Sequence, residues 1–236
     1  VGLTIQPLKG METEDWYPAP DKIYASNLAL ETTAQLQQTD IFPSVKEAVP
    51  ATGKEGFAIE NKVKLTFHPD FANEAELLKE KLATIHGLEV VSEAPVTVYL
   101  DYLPERETAV NGEYYRIDTG NGLINISAST SHGIFNGTQT LLSLLKGQEK
   151  PFRLEALSIR DYPDLPYRGQ MLDIARNFTT VEHLKKLVDV ISSYKLNVLH
   201  FHFSDDEGWR LEIPGLEELT SVGARRGHTT DELECL

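Results

Sequence analysis

The sequence predicts an α+β domain followed by a parallel β/α unit. Three observations carry this. Residues 41–160 alternate strand-like runs with two amphipathic helical stretches. Asp161-Tyr162-Pro163-Asp164-Leu165-Pro166 then forms a rigid boundary. Beyond it, the apolar runs Gly169–Ala175 and Val198–Phe203 flank a helical stretch, and each ends in charged and aromatic side chains. Parallel α/β folds place their chemistry at such C-terminal strand ends.

Residues 1–40 show no sustained period. Val1–Ile5 reads as a strand, and Trp16-Tyr17-Pro18-Ala19-Pro20 breaks regular structure. We read this region as the tail of a preceding unit plus a linker. Val63–Phe67 alternates as a strand. Asn73 is positioned to cap a helix, with Glu76 three residues on. Phe71, Ala75, Leu78, Leu82 and Ile85 give that helix one apolar face, and Gly87 stops it. Val96, Val98 and Leu100 alternate with polar neighbours, as a half-buried strand does. Tyr114–Asp118 and Leu123–Ser127 flank Asn121-Gly122, a strong hairpin signal. A second helix carries Ile134, Thr138, Leu141, Leu142 and Leu145 and ends at Gly147. Leu154–Arg160 is the last strand before the boundary. Hairpin strands with two helices predict a sheet with both helices on one face.

In the β/α unit, Thr179 and Glu182 have capping-box spacing. Leu184, Leu187, Val188, Ile191 and Tyr194 make the expected buried face of the helix. A parallel sheet needs partners on both faces. A complete (β/α)8 barrel takes about 250 residues, whereas residues 167–236 supply 70. The chain opens on Val1 and closes on Leu236, and both ends read as cuts through a longer polypeptide.

Composition narrows the function. Hydrophobic residues make up 41% of the 236, enough for a sizeable core, and the formal net charge is −14. That acidity argues against nucleic acid and anionic membranes as partners, since both call for clustered Lys and Arg. Cys235 is the one cysteine, so no intrachain disulfide forms. No apolar run approaches the roughly 20 residues of a membrane span, and no signal peptide opens the chain.

Several side chains could carry chemistry. Arg176 lies where the strand from Gly169 ends, and its planar fork of donors can span vicinal sugar hydroxyls or a carboxylate. The alternative is a salt bridge to a neighbouring acid. His200 and His202 share a strand face. They could begin a metal site, as in metal-dependent barrel hydrolases, or form a hydrogen-bonded interior pair. Two histidines fall short of the three or more ligands a metal needs, so the interior pair is preferred. Asp205 and Asp206 follow the second strand. A carboxylate there can orient an imidazole or a substrate hydroxyl, and Asp205 is assigned to the site and Asp206 to structure. Asp206-Glu207 and Asp231-Glu232 each have the form of an acid pair, but the latter reads as a helix start after Thr229-Thr230. Trp209 could stack a sugar ring or simply pack. Arg210 and Glu212 read as a structural ion pair, and Arg168, at the opposite strand end from Arg176, as structural.

Taken together, Tyr167-Arg168-Gly169-x-x-Leu172-Asp173-x-Ala175-Arg176-Asn177-Phe178 and the run from Lys195-Leu196-Asn197 through His200-x-His202-x-Ser204-Asp205-Asp206-Glu207-Gly208-Trp209-Arg210 to Pro214 resemble family 20 glycoside hydrolases, the β-N-acetylhexosaminidases. Gly215-Leu216, Gly223-Ala224-Arg225-Arg226 and Cys235-Leu236 are similar to the bacterial chitobiase branch. Leu3–Leu8 resembles the end of that branch's carbohydrate-binding-like N-terminal domain. The resemblance is specific over 167–236 and looser before it. It implies three regions: 1–40, the tail of a preceding carbohydrate-binding-like domain and linker; 41–160, the α+β domain that precedes the catalytic barrel; and 161–236, the first β/α units of a (β/α)8 TIM barrel, truncated.

The resemblance also implies retaining, substrate-assisted hydrolysis of terminal N-acetylglucosamine from chitooligosaccharides, without metal or other cofactor. In this chemistry the 2-acetamido oxygen attacks the anomeric carbon. An Asp positions the acetamide and the following Glu is the acid/base. Arg176 would hold the sugar's outer hydroxyls, with His202 and Trp209 as further substrate contacts. Asp205 would orient a histidine that supports the catalytic Glu. The family's Asp-Glu pair follows a Gly-Gly, and no Gly-Gly-Asp-Glu occurs in this sequence. The isolated chain is therefore expected to be inactive. A secreted or periplasmic location is implied by the same resemblance. The rival expectations are a metal-dependent hydrolase built on His200 and His202, and a non-catalytic carbohydrate-binding or scaffold module.

Overall fold

The structure, a computed structural model, describes residues 41–104, 107–206 and 208–222. The expectations for 1–40, Glu207, Asp231-Glu232 and Cys235 lie outside these residues.

Its first part is a seven-stranded mixed sheet. The strands are β1 (Glu47–Pro50), β3 (Lys62–Phe67), β4 (Glu89–Val91), β5 (Thr97–Tyr102), β6 (Tyr115–Gly120), β7 (Leu123–Ala128) and β9 (Leu157–Asp161), in spatial order β1-β9-β6-β7-β5-β3-β4. A small antiparallel pair, β2 (Phe57–Ile59) with β8 (Phe152–Leu154), lies beside it. Helices α1 (Ala72–His86) and α2 (Ser131–Leu145) pack against each other and against this sheet, and so share one face. The hairpin expectation holds for β6–β7. Asn121 and Gly122 both take positive φ (54° and 77°), as a two-residue turn matched to strand twist requires. It fails for β3, β4, β5 and β7, whose mutual pairings are parallel. The α1 crossover returns the chain to the same sheet edge, so β3 and β4 run alike.

The core lies between sheet and helices, with Ile117, Ile126, Ile134 and Ile159 fully buried. Gly137 lets α2 sit close to the sheet, because a Cβ there would approach Ile126 Cγ2 to 2.5 Å. Three local expectations need correction. The buried position at the end of α1 is His86, while Ile85 is 61% exposed; the apolar step from Leu82 is four residues, not three. Asn73 lies inside α1, whose entry is a short 3-10 turn at Pro69–Phe71 capped by the His68 ring. Leu154–Arg160 splits into β8 and β9. Gly87 ends α1 in the left-handed region, as expected.

The second part begins after Asp161. β10 (Gly169–Asp173) and β11 (Val198–His202) pair in parallel, joined by α3 (Val181–Ser193). The cap of α3 is Thr180, whose hydroxyl accepts from the His183 amide at 3.3 Å, not Thr179. Of the expected buried face of α3 only Leu184 is buried; Val188 and Tyr194 are exposed.

Polar contacts tie the two parts together. Lys195 Nζ donates to Asp161 Oδ2 (2.9 Å) and to the Tyr115 hydroxyl (2.8 Å), and all three residues are buried. Arg168 forms an ion pair with Glu113 and donates to the Leu165 and Lys195 carbonyls. This agrees with its structural reading.

Candidate active site

The parallel register sets Asp173 opposite His202, so the C-terminal ends of β10 and β11 coincide. The chain turns immediately. The Ile174 and Ala175 amides both donate to the His202 carbonyl, at 3.1 and 3.3 Å. Asp173 Oδ1 accepts from the amides of Ala175 and Arg176, both at 3.0 Å. This is an Asx-type turn, in which a short carboxylate side chain satisfies the backbone ahead of it. It brings Arg176 back over the strand ends.

There the Arg176 guanidinium meets two carboxylates. Nη1 donates to Asp173 Oδ2 at 2.7 Å, and Nη2 lies 2.5 Å from Asp205 Oδ2. His202 Nε2 is 3.0 Å from the same Asp205 oxygen. The Asp206 amide donates to Asp205 Oδ1 at 2.8 Å. Arg176 remains 47% exposed at its side chain while Asp173 and Asp205 are about one-fifth exposed, so the cation faces outward from an anionic seat. The Arg176 amide, then its guanidinium, hold the Asp173 carboxyl below its ordinary range. For Asp205 the Asp206 amide is the larger cause, with Arg176 and His202 acting in the same direction.

The sequence-derived residues Arg176, His202 and Asp205 are thus one cluster. His200 is exposed and sits two residues back along β11, opposite Met171. Among the described residues no three ligand-type side chains converge in a way that could hold a metal. Trp209 lies on β13 (Gly208–Trp209), paired with β12 (Ser204–Asp205); its indole N–H donates to the Leu211 carbonyl at 2.5 Å. Arg210 is buried and donates to the Ile174 and Ala175 carbonyls, in place of the expected pair with Glu212. Sequence reasoning missed the part played by Asp173. Its signal was an Asp three residues before an Arg at a strand end.

Polar groups gathered at the C-terminal ends of parallel strands, around a half-exposed guanidinium, have the arrangement and placement of a β/α enzyme's site. The family follows from the chain itself. Residues 38–162 match glycosyl hydrolase family 20, domain 2, and residues 165–235 match the glycosyl hydrolase family 20 catalytic domain. The chain belongs to glycosyl hydrolase family 20. It is 41% identical over 157 residues to the N,N'-diacetylchitobiase of Vibrio harveyi, covering 65% of this chain and 17% of that protein. A beta-hexosaminidase of Vibrio vulnificus is 36% identical over 166 residues, covering 70% and 19%. Among solved structures, a Vibrio harveyi GH20 exo beta-N-acetylglucosaminidase in complex with N-acetylglucosamine superposes with a TM-score of 0.67 at 33% identity, over 78% of this chain and 28% of that one. The chain therefore spans less than a fifth of the length of these two curated relatives.

Proposed function

We propose that this chain is part of a chitobiase-like β-N-acetylhexosaminidase. It removes terminal N-acetylglucosamine from chitooligosaccharides by retaining, substrate-assisted hydrolysis. The observation that carries the reading is the seating of Arg176 between Asp173 and Asp205 at the ends of two parallel strands. Relatives named chitobiase and beta-hexosaminidase support it.

In this reading residues 1–40 are the tail of a carbohydrate-binding-like domain, 41–160 the α+β domain before the barrel, and 161–236 the first β/α units of the catalytic TIM barrel. Arg176 donates to the outer hydroxyls of the terminal sugar. Its fixed charge suits neighbouring oxygens, and its hydrogen bonds are worth about 1.5–3 kcal/mol. Asp205 aligns the histidine that supports the acid, His202 is a further substrate contact, and Trp209 supplies an aromatic wall. The sugar's acetamide oxygen acts as nucleophile, so no enzyme nucleophile is needed. The acid/base and the acetamide-positioning Asp are not found in a Gly-Gly-Asp-Glu motif of these 236 residues, and the isolated chain does not turn over substrate. The enzyme acts outside the cytoplasm, in the periplasm or as a secreted protein. The metal-hydrolase alternative is not favoured, because His202 is engaged by Asp205 and His200 stands apart.

The test compares an aryl β-N-acetylglucosaminide with the matching aryl β-glucoside, using a polypeptide that carries these residues together with the acid. Turnover of the acetamido substrate alone is expected. Equal turnover of both would refute the acetamide mechanism.

A further inference from the structure

We propose that Asp173 and Arg210 are positioning residues for Arg176, gripping from two sides the turn that presents its guanidinium. The inference rests on the reading of Arg176 as the donor to the sugar's hydroxyls.

In the turn over residues 174–176, one side chain takes two of the amides and another takes two of the carbonyls. Asp173 Oδ1 takes the amides of Ala175 and Arg176, and its Oδ2 takes Arg176 Nη1 directly. Arg210 takes the carbonyls, with Nε 3.1 Å from Ile174 O and Nη2 3.2 Å from Ala175 O. Arg210 is itself anchored, because its amide donates to the Phe203 carbonyl at 2.9 Å. Its guanidinium lies 5.5 Å from the centre of the Phe178 ring.

An arginine only 2% exposed is costly to desolvate unless its donors are used. Here two of them, Nε and Nη2, go to successive carbonyls of the turn. A rigid planar fork can span such a pair, and a lysine ammonium cannot do so in the same way. Gly208 leaves room for it, since a Cβ there would fall 2.7 Å from Arg210 Nη2 and 3.1 Å from the Ala175 carbonyl oxygen. The turn is thereby set before any sugar arrives, so binding does not have to order it.

The first experiment uses the 236-residue chain and needs no activity. Rotation of the Arg176 guanidinium about Nε–Cζ is measured by side-chain nitrogen NMR in the unsubstituted chain, in Asp173→Asn and in Arg210→Lys. Asp173→Asn is nearly isosteric and keeps an oxygen for the two amides while losing the ionic arm. Rotation at least about tenfold faster is expected in both variants, with the backbone spectrum otherwise retained. Unchanged rotation in folded variants overturns the proposal. If Arg210→Lys fails to fold, Gly208→Ala replaces it, since it displaces the same guanidinium from the turn. A second readout uses the polypeptide that also carries the acid. There Asp173→Asn should raise KM for the aryl N-acetylglucosaminide about tenfold while kcat stays within about twofold. A fall in kcat with KM unchanged would overturn positioning at the binding step. Faster rotation together with no hydrolysis by the unsubstituted enzyme would sink the glycosidase reading and leave the positioning role standing.

Discussion

Of the two readings of Arg176, the structure shows the salt bridge to neighbouring acids, Asp173 and Asp205, with the side chain still 47% exposed at the strand ends; the sugar-binding reading is the one proposed above. A guanidinium carries five donors in a rigid fork, and the carboxylates of Asp173 and Asp205 are among the partners that fix this one. Asp205 shares an oxygen between Arg176 and His202, and in the proposed reading it aligns the histidine that supports the acid. Asp205→Asn should therefore lower kcat more than it raises KM, by about tenfold or more, in steady-state assays of the active enzyme. Both carboxyls titrate below their ordinary value of 3.8. A depressed folded pKa means that the clamp is fully formed above the ordinary value and is lost as pH falls through the lower one. Sugar affinity followed by calorimetry should accordingly show no loss from these two groups between pH 7 and about 4, and should decline below that. Arg176 and Asp205 were legible because strand ends mark where chemistry sits. Asp173 and Arg210 were not, because their partners are backbone groups of a turn whose path only the fold defines.

At the level of elements, periodicity located α1 and α2 and the Asn121-Gly122 hairpin, since these depend on local pattern and turn chemistry. Pairing direction was legible where the connection announces it, in that hairpin and in the β10-α3-β11 crossover, but not for β3, β4, β5 and β7, whose parallel pairing is set by connections the strands' own residues do not reveal. The end of α1 shows the limit on a small scale. Ile85 and His86 both fit an apolar stripe to within one residue, and the buried place went to His86. There its ring meets Phe152 edge-on, with centroids 5.6 Å apart, and burial lowers its pKa. Leu82→Ala should cost about 2–5 kcal/mol in denaturant unfolding, whereas Ile85→Ala should stay within about 0.5 kcal/mol. Similar losses for both would mean that α1 is rotated from the face described.

Across the described residues, the α+β part and the β/α unit are joined by a network that no local pattern announced. Lys195 takes positive φ (59°) just after α3, and its ammonium enters a buried site between Asp161 and Tyr115. Burial lowers its pKa, and the Asp161 charge opposes that drop. Removing one partner of such a pair strands the other, so Lys195→Met should destabilise the fold by about 3–5 kcal/mol in chemical denaturation. A change under 1 kcal/mol would show that the pair contributes little. The exposed side of α3 was misjudged for a related reason. Helical period identifies an apolar face, but burial depends on neighbouring elements, and β10 and β11 are the only parallel strands of this unit among the described residues.

The central claim is that Arg176, seated by Asp173 and Asp205, binds the terminal sugar of the substrate. Its most direct test is kcat/KM on an aryl β-N-acetylglucosaminide for Arg176→Ala beside the unsubstituted enzyme, in a polypeptide that includes the acid. Loss of charge-assisted hydrogen bonds predicts a fall of roughly ten- to 150-fold. An unchanged kcat/KM in a folded variant would contradict the account.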